Sequence, residues 1–236
     1  KFVAPNIHAL REICRLGLPM GLSFFLEMAA FSTIALFIAT LGNTAMASHQ
    51  IAFNVWDATY MILVSIGASL ATRVGHAVGA GDKAAVRLAI GCGASITLMV
   101  GLACMMLLLS APSLIIGAYT DNEAIHSMAS ALIRLAALFI VLDAAQITAT
   151  FSLRAFKDTR FPFVVLCCAY WLITLPLGYW LGIVVAQNPL EGTTGFWISM
   201  ITGIALSGVV LSWRLLKTLR TFSAARGPSD IRWLSR

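Results

Sequence analysis

Charge is scarce in this sequence. Of 236 residues only 11% are Asp, Glu, Lys or Arg, where an ordinary soluble domain carries about 25%. So little charge cannot cover the surface of a water-soluble globule of this length. With 59% hydrophobic residues and a mean hydropathy of +0.88, the expected solvent is lipid. Metal and redox spacings are also missing. None of the five cysteines (Cys14, Cys92, Cys104, Cys167, Cys168) forms a CxxC pair, and four lie inside apolar runs, where they read as small core residues. The four histidines (His8, His49, His76, His126) share no ligand spacing, so no metal cluster is expected. GxSxG and HExxH are absent, and the glycine-rich "VGHAVGAGDKAA" (Val74–Ala85) lacks the GKS or GKT end of a phosphate loop. That segment reads as a tight turn. An enzyme and an organic cofactor are therefore not expected.

What the sequence does contain is long apolar runs. Six stretches reach the roughly 20 residues a membrane helix needs, at about residues 17–41, 51–72, 88–111, 132–153, 161–186 and 193–213. The runs do not alternate, and only helices or closed barrels satisfy backbone groups in lipid, so an all-α bundle of six transmembrane helices follows. Pro176 falls inside the fifth run and is expected to kink it, because it removes a backbone donor. Basic residues sort by side. Lys1, Arg11 and Arg15 precede the first run; Arg73, Lys83 and Arg87 lie between the second and third. Arg154, Lys157 and Arg160 lie between the fourth and fifth, and Arg214, Lys217, Arg220, Arg226, Arg232 and Arg236 follow the sixth. If the helices alternate, only Arg134 of the sixteen falls on the opposite side, whose loops hold Asp121, Glu123 and Glu191. The positive-inside rule then puts both termini in the cytoplasm. Five or seven spans would scramble this pattern. The net charge of +6 is divided among loops, so it is no nucleic-acid stripe. Residues 1–16 read as a cytoplasmic linker, 17–213 as the bundle and 214–236 as a basic cytoplasmic tail. A chain that starts at Lys1 without a signal peptide is expected to be the later part of a longer protein.

Three acids fall within the runs: Glu27, Asp57 and Asp143. A charged side chain near the bilayer centre costs at least about 2.5–3.5 kcal/mol, and such residues face a bundle interior or a wet cavity. Glu27 and Asp143 lie near the middle of their spans, whereas Asp57 lies close to an outer end. Helical spacing puts Phe139, Gln146 and Thr150 on the face of Asp143, Ser23 and Phe31 on that of Glu27, and Asn54 and Met61 on that of Asp57. Carboxylate, amide and hydroxyl oxygens are what hard cations such as Na⁺ take. Two readings fit: helix-to-helix hydrogen bonds that hold a bundle together, or a site that exchanges a proton or cation.

Three segments, "LGLPMGLSFFLEMAAFSTIALFIATLG" (Leu16–Gly42), "ASHQIAFNVWDATYMILVSIGASLATRVGHAVGAGD" (Ala47–Asp82) and "LDAAQITATFSLRAFKDTRFP" (Leu142–Pro162), resemble the second half of the multidrug and toxic compound extrusion (MATE) transporters, their NorM-like branch above all. The likeness runs from about residue 8 to about residue 215. It implies one six-helix lobe of a twelve-helix protein, the carboxy-terminal one, with an amino-terminal lobe missing. The function implied is antiport: an organic cation or drug leaves in exchange for Na⁺ or H⁺. The resemblance also implies that Glu27 and Asp143 serve the coupling cation. Helical spacing, and not the resemblance, adds Asp57, Asn54, Gln146, Phe139 and Thr150 as further candidate cation or substrate contacts, and Asp57 stands where the family leads one to expect a small or neutral residue. Where NorM-like proteins often carry Tyr, four residues before the acid, this chain has Phe139; one hydroxyl fewer weakens the case for Na⁺ against H⁺.

The expected partners are an organic cation, membrane lipid and the missing lobe, in a bacterial plasma (inner) membrane. Phe24, Phe31, Trp56 and Phe139 are candidates for cation–π contact with a flat cation. A related flippase for lipid-linked sugars is the first alternative, and it predicts basic residues in the cavity. A non-transporting scaffold subunit is the second, and it predicts no cation dependence.

Overall fold

A computed structural model describes residues 7–224. The first six residues of the expected linker, and the expected tail beyond residue 224, lie outside the described residues. Within them the chain is helical, with no strand: α1 (Ile7–Ala39), α2 (Asn43–Gly79), α3 (Lys83–Ser110), the short α4 (Pro112–Gly117), α5 (Glu123–Ala155), α6 (Arg160–Cys167), α7 (Leu175–Tyr179) and α8 (Pro189–Ala224). Six helical stretches among the described residues are long and apolar enough to cross a membrane, and they fall on the six runs read from the sequence. All but the fifth are longer than those runs. The 37 residues of α2 extend about 55 Å at 1.5 Å per residue, against a hydrocarbon layer of about 30 Å.

Local chemistry sets the boundaries. Gly42 (φ 114°) and Gly81 (φ 69°) take left-handed turns that a side chain would resist, after α1 and α2. The turn that the glycine-rich segment implied is confined to Ala80–Asp82; the rest of that segment continues α2 and begins α3. Asp82 caps α3 by accepting from the Ala85 amide (2.9 Å), and Asn122 caps α5 by accepting from Ala124 and Ile125. Lys157 (φ 60°) ends α5 in the αL conformation, with its amide returning to the Arg154 carbonyl (2.9 Å).

A kink was expected at Pro176, and what the helix shows on either side of it is π-helical winding. The fifth span runs from α6 through a π stretch (Cys168–Thr174), α7 and a second π stretch (Trp180–Val185). Pro176 sits in the first turn of α7, where its ring would clash with the carbonyl four residues back; a wider preceding turn removes the clash.

Helix α5 lies at the centre, packed against α2, α3 and α8. Small residues let these helices approach it: Ala129, Ala136, Ala137, Ala144 and Ala149 are fully buried. A hydroxyl bond between Thr97 and Thr148 (2.7 Å) ties α3 to α5 in the interior. The fifth span lies against α8 through glycine: a methyl group added at Gly182 would meet the Phe196 ring and, at 3.0 Å, the Gly192 carbonyl oxygen. At the end carrying the basic loops, Arg214 of α8 binds Asp158 through two nitrogens (2.9 Å each) and covers the Phe161 ring.

Candidate cation site

Two acids face the interior from different helices. On α1 the buried positions Ser23, Glu27, Ala30, Phe31, Ile34 and Ile38 recur every three or four residues, so Glu27 belongs to the stripe that faces the bundle. Asp143 lies on the central α5 and is fully buried. Both side chains are buried, and neither acid is in an ion pair among the described residues.

Each acid instead receives one hydrogen bond from an aromatic ring on another helix. The Tyr170 hydroxyl donates to Glu27 Oε1 (2.8 Å), and the Trp56 indole N–H donates to Asp143 Oδ2 (2.7 Å). The other oxygen of Asp143, Oδ1, is buried and has no hydrogen-bond partner among the described residues. One hydrogen bond to a charged group contributes about 1.5–3 kcal/mol. Burying an ion costs several kcal/mol. A single donor therefore does not offset the burial of a bare carboxylate, and what is left over favours taking up a positive guest.

The rings form a continuous wall. Phe31 meets Trp56 and Tyr170 edge-on, with centroids 5.4 Å away in both cases. Trp56 also stacks on Tyr60 (5.0 Å) and touches Phe139 and Phe53 (5.1 Å each). Such pairs contribute about 0.5–1.5 kcal/mol beyond the area they bury. Phe139, Gln146 and Thr150 are buried on the Asp143 face, and Thr150 Oγ1 is a second buried oxygen without a partner.

Two of the residues named from the sequence lie apart. Asn54 is exposed and accepts from Gln50 one turn away (3.0 Å). Asp57 is half-buried, one position round the helix from Trp56, and makes no side-chain hydrogen bond among the described residues. Sequence reading missed Tyr170 and Tyr60, and it read Trp56 only as a surface for a flat cation. The available signal was a tyrosine in the middle of an apolar span, since a buried phenol needs a partner. Arg154 was missed as well: it is half-buried, with its guanidinium over the Phe24 (5.2 Å) and Phe151 (4.7 Å) rings. Phe24 therefore meets a cation of this chain's own.

The profile of the MatE family matches residues 19–180, most of the chain and both acids. The chain belongs to the MATE family. It is 36% identical over 211 residues to the multidrug resistance protein NorM of Photobacterium profundum, covering 89% of this chain and 46% of that protein. It is 37% identical over 221 residues to the multidrug resistance protein MdtK of Photorhabdus laumondii, covering 91% and 47%. Among solved structures it is similar to the eukaryotic MATE transporter AtDTX14 (TM-score 0.83, 19% identity, 96% of this chain and 49% of that one). An outward-facing multidrug resistance MATE family transporter of the MOP superfamily gives a TM-score of 0.84 at 16% identity, covering 95% and 50%. Identities this low speak for the fold alone. The chain spans about half the length of the curated relatives it matches. Its six helices correspond to half of a MATE transporter.

Proposed function

We propose that this chain is the carboxy-terminal lobe of a twelve-helix antiporter of the bacterial inner membrane, which exports organic cations or drugs in exchange for Na⁺ or H⁺. Glu27 and Asp143 carry the exchange. The observation that supports this most directly is the orphaned Oδ1 of a fully buried, unpaired Asp143. The names of the NorM and MdtK relatives support drug export, and the sidedness of the basic loops supports cytoplasmic termini.

In this reading a proton or Na⁺ entering from outside neutralises the acids. The aromatic wall then faces neutral groups, and a cationic drug held there loses its counter-charge and leaves. Rocking of this lobe against an amino-terminal one moves the site between the two sides, as in other repeat-built transporters. Gln146 and Thr150 supply neutral oxygens beside Asp143 for the incoming cation; Asn54 and Asp57 lie outside that cluster and are proposed at most as contacts along the route. No enzymatic step and no cofactor enters the scheme.

The test is gradient-driven efflux of a cationic dye from vesicles holding the full-length protein. Asp143→Asn is expected to abolish efflux driven by a Na⁺ or pH gradient. Normal driven efflux in that variant would refute the assignment, and efflux that ignores both gradients in the unaltered protein would favour a scaffold.

A further inference from the structure

Both acids are held by a ring donor, and both donors lean on one ring. Tyr170 comes from the π stretch of the fifth span and Trp56 from α2, 143 and 87 residues in sequence from the acids they bind. Phe31, one helical turn beyond Glu27, fills the space between them with its ring at the same distance from each. A donor bonded to a carboxylate competes with any cation for the same lone pairs. It also fixes which oxygen stays open: at Asp143 the indole occupies Oδ2 and leaves Oδ1 free. The two donors therefore set how tightly each acid takes its guest, without touching the guest.

We infer that Tyr170 and Trp56 are positioning residues that weaken cation uptake at Glu27 and Asp143, and that Phe31 holds both donors in place, so that one ring governs both acids. This rests on the reading of Glu27 and Asp143 as the exchanging groups. The other charged or titratable groups around the pair are Arg154 of α5, whose field reaches Glu27, and Tyr60 of α2, which feels both acids and also Asp57. None of them is hydrogen-bonded to either acid among the described residues, so the ring donors are the direct partners. Weak holding suits an exchanger, because an acid that binds its cation too tightly cannot release it.

The experiment is cation loading of the full-length protein in lipid nanodiscs, followed by infrared difference spectroscopy of the carboxyl bands. The bands are assigned with Glu27→Gln and Asp143→Asn. Tyr170→Phe and Trp56→Phe each keep the ring and remove the donor. Each is expected to lower the half-loading concentration of H⁺ or Na⁺ at its own acid about tenfold, which corresponds to about 1.4 kcal/mol. Phe31→Ala, which removes the shared support and no polar contact, is expected to lower it at both acids at once. Phe139→Leu, whose ring touches Trp56 and not Tyr170, is expected to act at Asp143 alone. Tyr170→His and Trp56→His return a ring N–H and are expected to bring loading back towards the original value, which separates a lost donor from a damaged fold. Half-loading within twofold of the unaltered protein in both Phe variants overturns the inference, and so does a Phe31→Ala effect confined to one acid. Loading is read without transport. Shifted loading in a protein whose efflux ignores gradients would refute the antiport reading alone, whereas driven efflux with unshifted loading would refute this inference alone.

Discussion

Replacing Asp143 with Asn should make the protein more stable at high pH while ending its exchange. The acid is fully buried, accepts one hydrogen bond and keeps Oδ1 without a partner. At high pH the folded protein must either hold a bare anion there or draw a proton from a medium that has few. Both cost free energy, at least about 2.5–3.5 kcal/mol on the insertion scale for a charge at mid-membrane. Asn removes that cost and still offers an oxygen to the Trp56 N–H. The bond becomes neutral, and its contribution falls from about 1.5–3 to about 0.5–1.5 kcal/mol. The difference is a net gain of about 1–2 kcal/mol. In a chain of this size each kcal/mol moves the melting temperature by about 2–4 °C, so the gain at pH 8 is a few degrees. The sign follows from proton binding: stability falls with rising pH wherever the folded state binds more protons than the unfolded one. At low pH the medium supplies protons freely, so the difference should shrink and the two proteins should melt closer together. Added Na⁺ should stabilise the original and leave the variant unchanged, if Na⁺ is the guest. Thermal unfolding followed by tryptophan fluorescence at the two pH values decides it. A variant that melts lower than the original at pH 8 would mean that the carboxylate holds helices together, and the exchange reading would fail.

Other outcomes follow from packing and topology. Gly182→Ala pushes a methyl group into the Phe196 ring and the backbone carbonyl of Gly192, and it should cost about 1–3 kcal/mol in thermal or denaturant melts. Arg214→Gln breaks the pair with Asp158, but the arginine is 35% exposed, so the loss should stay below about 1 kcal/mol; a larger loss would mean that the latch shapes the bundle. With the native cysteines replaced, Asp121→Cys should react with a membrane-impermeant maleimide from outside intact cells, and Lys157→Cys only after permeabilisation. The reverse result would overturn the orientation taken from the basic loops.

The spans and the two central acids were legible because each has a local signature: length and apolarity for the helices, and the cost of charge in oil for Glu27 and Asp143. The turn at Gly81 was legible too, since the glycine-rich composition around it marks it. What sequence could not supply is pairing across the chain. Nothing near Trp56 in sequence indicates Asp143, and nothing near Glu27 indicates Tyr170, because those bonds depend on how α1, α2, α5 and the fifth span come together. Periodicity on one helix gathered Gln146, Phe139 and Thr150 correctly on the buried face. It grouped Asn54 with Asp57 as well, but Asn54 is exposed and bonded to Gln50, and Asp57 is only half-buried. Pro176 announced an irregular helix but not its kind, because π winding depends on the packing of the fifth span against α8.

The length of α2 has a consequence for its surroundings. About 55 Å of rod through about 30 Å of oil leaves roughly 12 Å protruding at each face. Arg73 and His76, in its last two turns, therefore stand among phosphates and water, where a cation is welcome. The hairpin bend at Ala80–Asp82 rises beyond the lipid surface, within reach of an antibody or a protease added to that compartment.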